Sequence, residues 1–209
     1  MPEDDLVEET LVVAGREIAL RRPRDSEGLL DEHAFEHEEF LPYWAELWPS
    51  AIALAEVVGA RALKGRRVLE LGCGLGLPSI AAALAGGRVL ATDWSPAAVR
   101  FAADNARRNG AGVTVARRSW SSPEAYAADG RFDLVLASDV LYERRDVAPL
   151  LELLPRLLAS RGEVLLADPE RPPFPAFLAG AREAFTVAEV ARRHGPSVRV
   201  VGLVPRQHT

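Results

Sequence analysis

The chain has a single cysteine, Cys73, and therefore no disulfide framework. That composition fits a reducing compartment, and a cytoplasmic location is expected. Basic residues are not in excess: 25 Lys and Arg stand against 30 Asp and Glu, for a net charge of −5. A protein that grips nucleic acid through its phosphates shows the opposite balance. No apolar run approaches the roughly 20 residues that span a bilayer. The opening Met-Pro-Glu-Asp-Asp lacks both the basic and the apolar part of a signal peptide. Internal repeats and low-complexity linkers are also missing. What is present is ample: 209 residues at 48% apolar can bury a full core without disulfides or metals.

The most telling run is Val-Leu-Glu-Leu-Gly-Cys-Gly-Leu-Gly-Leu, residues 68–77. A short apolar strand from Arg67 to Leu71 leads into a loop with glycines at 72, 74 and 76, and an alanine- and leucine-rich helix leaves it at Leu77. A second strand, Arg88 to Thr92, ends at Asp93. Glycines permit positive φ and close approach of a ligand to the backbone. An acidic residue ending the next strand is placed to bind ribose hydroxyls. Together they predict a nucleoside site. A dinucleotide loop would read G-x-G-x-x-G, but here Leu77 holds the third glycine's place and Gly76 comes one residue early. A nicotinamide or flavin site and a bare strand-to-helix turn are the alternatives. Cys73 is read as a small residue filling the loop, with no histidine close in sequence to make it a nucleophile.

From Pro49 onward, helical and strand patterns alternate, which predicts a mostly parallel sheet covered on both faces. Pro49 opens a first helix. Ser95-Pro96 caps a helix over Ala97–Arg108 that Asn109-Gly110 closes. Val113–Ala116 and Phe132–Ser138 read as strands, Asp146–Leu158 as a helix, and Val164–Ala167 as a fifth strand after an Arg161-Gly162 turn. Phe174–Ala184 reads as a helix, and Phe185–Val190 with Val198–Val204 as a closing antiparallel pair. Ahead of this domain, 49–209, residues 1–48 form an extension. Thr10–Ala14 and Glu17–Arg21 alternate as a small β-hairpin, and Gly28–Phe40 is acidic and partly helical. His33 and His37, with Glu36 and Glu38 nearby, have the spacing of two metal ligands. No third ligand is assured, a solvated helix face explains the spacing, and no metal is expected.

Ligands of an open α/β sheet sit at the carboxyl ends of its strands. Those ends carry Glu70, Gly72, Cys73, Gly74 and Gly76, then Asp93 and Trp94, then Trp120, then Ser138 and Asp139. Asp93 is expected to accept from both ribose hydroxyls, with Trp94 and Trp120 against an adenine. For Trp120 a core aromatic at the sheet edge is the alternative, and for Asp139 a helix cap.

The Glu-Leu-Gly-Cys-Gly-Leu-Gly loop resembles the first motif of class I S-adenosylmethionine-dependent methyltransferases. Pro42-Tyr-Trp-Ala-Glu-Leu-Trp-Pro-Ser and Ser-Asp-Val-Leu-Tyr, 138–142, extend the resemblance to a subgroup rich in protein-lysine methyltransferases. Asp168-Pro-Glu-Arg171 is similar to a motif of bacterial members that modify an electron-transfer flavoprotein subunit. The resemblance covers residues 42 to about 171. It implies a Rossmann-like seven-stranded sheet with an antiparallel last strand and helices on both faces. It also implies S-adenosylmethionine as cofactor, S-adenosylhomocysteine as product, and Trp48 closing over the cofactor. Asp139 and Tyr142 would face the methyl group, Asp139 orienting an acceptor amine while the ring of Tyr142 or Trp44 steadies the ammonium. A protein lysine is the expected acceptor. A small-molecule N- or O-methyltransferase and a non-catalytic cofactor-binding subunit are the alternatives. Base methyltransferases of this fold carry an Asn/Asp-Pro-Pro-aromatic run; Ser-Asp-Val-Leu-Tyr departs from it, which points away from nucleic acid.

Overall fold

The computed structural model describes residues 5–25, 43–195 and 197–206. The His33–His37 pair and the acidic segment around it lie outside the described residues. β1 (Leu6–Val13) and β2 (Arg16–Pro23) form an antiparallel hairpin longer than the alternating residues alone predict. After a short 3₁₀ turn at Tyr43–Ala45 come α1 (Pro49–Gly59), β3 (Arg67–Leu71), α2 (Leu77–Leu84), β4 (Arg88–Asp93), α3 (Pro96–Arg108) and β5 (Val113–Arg117). β6 (Phe132–Ser138), α4 (Arg144–Leu157), β7 (Leu158–Asp168), α5 (Phe174–Ala184), β8 (Phe185–His194) and β9 (Ser197–Pro205) complete the order.

Seven strands form one sheet in the order β5-β4-β3-β6-β7-β9-β8. The pairs from β5 to β7 are parallel, and β9 runs antiparallel to both β7 and β8. Strand order reverses direction between β3 and β6. There the crossover helices diverge to opposite faces and open a crevice at the carboxyl ends of the strands.

Each face has its own core. Leu69 and Leu71 of β3 pack with Leu150, Leu153 and Leu154 of α4 and Phe174 and Phe177 of α5. Val68, pointing the other way by strand alternation, packs with Leu54 and Val58 of α1 and Leu77 and Ile80 of α2. The hairpin is tied to this second face by two asparagines of the α3 end. Asn105 Oδ1 accepts from Arg21 N at 2.8 Å and its Nδ2 donates to Arg21 O and Leu75 O. Asn109 makes the same two-way bond with the backbone of Ala19.

Two elements differ from the sequence reading. α4 begins at Arg144, two residues early, because Glu143 caps it and Asp146 returns the bond from inside the first turn. This assigns the cap to Glu143 and frees Asp139 from that role. β7 begins at Leu158 and runs through Arg161-Gly162, where a turn was expected. The pairing slips there, Phe132 facing Leu158 and Leu134 facing Glu163, so the glycine marks an irregularity inside a strand.

Candidate functional site: a nucleoside-sized cavity at the strand crossover

The loop after β3 takes positive φ at Gly72, Gly74 and Gly76. At Gly72 the need for glycine is steric as well: a Cβ would lie 3.0 Å from the Trp120 ring and 3.2 Å from Val140. A Cβ at Gly76 would stand 3.1 Å from Ala102 on α3, so this glycine lets the start of α2 approach its neighbour. Cys73 is buried, its amide donates to Thr92 O at 2.9 Å, and burial raises its thiol well above the usual range. It is a packing residue of the loop, not a thiolate.

Asp93 ends β4 and is buried. Its Oδ2 accepts from Gly74 N at 3.0 Å and its Oδ1 from Ser95 N at 2.9 Å, which locks the glycine loop to the next helix. Burial raises its carboxyl above the ordinary value, opposed by those backbone amides. The Trp94 amide contributes as well; a carboxylate has about four acceptor positions, so some capacity remains for a ligand.

Above the sheet lies a cavity of about 590 Å³ lined by Gly72, Asp93, Trp94, Trp120, Ser138 and Tyr142 among others. Binding sites for small ligands fall at roughly 300–1,000 Å³. A smaller space of about 40 Å³ adjoins it, between the Trp44–Trp48 segment and Gly72–Leu77. The segment reaches close: the Trp44 carbonyl is 3.3 Å from where a Cβ on Gly74 would sit. Trp94 and Trp120 share one cavity with Asp93, and Cys73, Gly74, Gly76 and Trp48 border the other.

Glu70 lines neither space. Along β3 it alternates with Leu69 and Leu71 and so points under α2. There Oε2 accepts from Ser79 N at 3.0 Å and from the Ser79 hydroxyl. The N-cap of α2 is Gly76, which has no side chain to offer the helix's unpaired amides. Glu70 supplies that cap from the strand below. Burial pushes its carboxyl up to about 8, against the lowering effect of the Ser79 bonds, and Oε1 is buried without a partner.

At the other end of the crevice, Asp139 follows β6 in a left-handed conformation, φ 56°, its amide donating to Ala167 O at 3.0 Å. Oδ1 pairs with Arg171 Nη1. Oδ2 is fully enclosed, the Ser50 hydroxyl stands beside the carboxylate as a donor, and the carboxylate itself lines neither cavity, although its neighbour Ser138 lines both. Burial raises the Asp139 carboxyl, with the Arg171 charge pulling it back. Asp168 ends β7, fully buried, and accepts from Arg171 N at 2.7 Å. Tyr142 stacks on Tyr43 with ring centres 5.2 Å apart, and burial raises its phenol above the usual range.

The ring of Tyr142 is therefore engaged by Tyr43, and the Arg171 guanidinium lies 5.3 Å from its centre. Trp44 packs on Phe101 of α3 at 5.2 Å. Both rings nevertheless line the larger cavity. Tyr43, Asp168 and Arg171 are site residues that the sequence quoted within motifs without assigning them a place.

The residues fit an adenosyl cofactor: a carboxylate at a strand end, two indoles and a loop that admits no side chain at Gly72 converge on one cavity. The profile of a family described as lysine methyltransferase matches residues 37–177. The chain belongs to that family. As a member, it is an S-adenosylmethionine-dependent methyltransferase. A protein N-lysine methyltransferase of Danio rerio is 34% identical over 159 residues, 70% of this chain and 70% of that protein. The electron transfer flavoprotein beta subunit lysine methyltransferase of Mus musculus is 34% identical over 139 residues. The match takes in 64% of this chain and spans 52% of that enzyme. Among solved structures, the T. thermophilus 16S rRNA N2 G1207 methyltransferase, in complex with AdoMet and guanosine, shares the fold. Its TM-score is 0.71, at 17% identity, covering 96% of this chain and 51% of that one. No described helix of this methyltransferase is long and apolar enough to cross a membrane.

Proposed function

We propose that the chain moves the methyl group of S-adenosylmethionine to the side-chain amine of a lysine in a protein substrate. The observation that carries this reading is the nucleoside-sized cavity lined by Asp93, Trp94, Trp120, Ser138 and Tyr142, with the buried Asp139 carboxylate directly after Ser138 of its wall. A carboxylate at that place suits an N–H-bearing acceptor. The 33–34% identity to enzymes named for lysine methylation supports it.

In this reading Asp93 takes the ribose hydroxyls, Trp94 and Trp120 flank the adenine, and Gly72, Cys73, Gly74 and Gly76 pass beneath the remainder of the cofactor, with Trp48 and Ser138 at its margin. Residues 49–209 form the methyltransferase domain and 1–48 its extension. Bound S-adenosylmethionine supplies a methyl group on a positively charged sulfur, which needs no further activation. The protein's share is alignment, a contribution of up to roughly 7–11 kcal/mol where two reactants are held at reacting distance. The Asp139 carboxylate, next to Ser138 of the cavity wall, orients the neutral amine by hydrogen bonding, while Tyr142 and Tyr43 shield that side. The lone buried Cys73 accords with a cytoplasmic setting.

The test separates the two halves of the site. Asp139→Asn should lower the rate of methyl transfer by at least a hundredfold and change calorimetric S-adenosylmethionine affinity by less than threefold. Equal loss of both would make Asp139 a cofactor ligand or a structural residue and defeat this assignment.

A further inference from the structure

Arg171 is brought inward by a bent backbone. Glu170 sits at φ 66°, and the Arg171 amide is held by Asp168. Its guanidinium lies 5.6 Å from the centre of the Trp48 ring and 5.3 Å from that of Tyr142. It pairs with Asp139 and stands 3.3 Å from Asp168 Oδ2. Trp48 is itself fixed, donating from Nε1 to Tyr43 O at 2.8 Å. Two electron-rich rings and two buried carboxylates are surroundings that suit an alkylated ammonium. Here the protein's own cation is already among them. Both carboxylates are spent on that guanidinium, and the Ser50 hydroxyl stands beside Asp139 as a further donor.

Resting on the lysine reading above, we propose that Arg171 is a positioning residue that fills the Trp48–Tyr142 cation site and keeps the acceptor amine off the two rings. The amine then meets the methyl group without lodging at a range of depths within an aromatic box. A methylated product finds no ring pair left to sit on, which favours its departure.

The ring site can be read with a cation that cannot accept a methyl group. Wild-type protein, saturated with S-adenosylhomocysteine at pH 8, is titrated with n-butyltrimethylammonium by calorimetry, beside Arg171→Gln, Arg171→Lys and Arg171→Gln/Trp48→Ala. The expected result is binding at least tenfold tighter in Arg171→Gln than in wild type, with the gain lost in the double variant. Arg171→Lys, which keeps the charge, should stay near wild type and serves if the glutamine variant misfolds: tenfold tighter binding there would also overturn the proposal. Wild type binding the probe as well as Arg171→Gln would overturn it, as would a glutamine variant with no gain. On the methylated protein, Arg171→Gln should reduce kcat at least tenfold without raising KM, a split that general loosening of the fold does not produce. The probe needs no acceptor, so wild-type enzyme that labels no protein lysine would defeat the lysine reading without touching the ring-site result.

Discussion

Replacing Glu70 by glutamine should make the protein markedly more resistant to urea at pH 8.5, with the gain shrinking to about 1 kcal/mol at pH 5. Glu70 is fully buried, and its carboxyl titrates at about 8, against an ordinary value of 4.5. Below pH 4.5 the group is protonated in the folded and unfolded chains alike and imposes no penalty. Between 4.5 and 8 the unfolded chain releases the proton while the folded chain keeps it, so stability falls as pH rises. Above 8 both forms are ionised and the loss is constant. At about 1.4 kcal/mol for each tenfold change in the proton equilibrium, the ceiling is about 5 kcal/mol. Glutamine keeps the part that matters to α2, an oxygen able to accept from the Ser79 amide and hydroxyl, and stays neutral throughout. Urea midpoints of both proteins at pH 5, 7 and 8.5, at one ionic strength, give the difference directly, since other titrating groups cancel. A pH-independent difference, or wild type gaining on the variant as pH rises, would refute the argument.

Two further outcomes follow from the same geometry. Asp93→Ala removes the acceptor for Gly74 N and Ser95 N as well as the seat for the ribose, and should weaken S-adenosylmethionine binding by roughly 10- to 100-fold in calorimetry; affinity within twofold of wild type would place the ribose elsewhere. Asn105→Ala leaves Arg21 N and O and Leu75 O without their bonds and should cost about 2–4 kcal/mol in urea unfolding. A cost under about 0.5 kcal/mol would mean the hairpin is not held through this residue.

Much of the parallel sheet could be read from the chain because its signals are local. Apolar strands ending in glycine or aspartate, and a helix announced by Ser95-Pro96, depend on neighbours within a few positions. The features that were misplaced depend on distance. Glu70 looked like a cofactor ligand by its position next to the glycines, yet strand alternation turns it beneath α2, where a side-chain-free N-cap needs an acceptor. The start of α4 is read two residues late along the chain because its capping box, Glu143 with Asp146, is a matter of one turn's geometry, and the cap weighed as the alternative for Asp139 falls away. Arg161-Gly162 carries the residues of a turn but lies within β7, at the irregularity between the paired residues Leu158 and Glu163. The Arg171 cluster joins residues 43–48, 139–142 and 168–171, three segments that meet only when β6 and β7 pair beside the Trp48 loop. Charge and spacing along the chain do not reveal which of its two carboxylates the guanidinium takes, or that an aromatic site for an incoming cation is already filled.

The central claim is methyl transfer to a protein lysine. Purified protein incubated with labelled S-adenosylmethionine and a desalted lysate, followed by separation of protein, nucleic acid and small molecules and mass spectrometry of the labelled band, tests it directly. Lys64 is the chain's single lysine, so self-labelling is confined to one recognisable site. The account predicts label on a discrete protein, placed on a lysine side chain and absent with Asp139→Asn. Label found only on nucleic acid or a small molecule, or on a protein at a residue other than lysine, would contradict it.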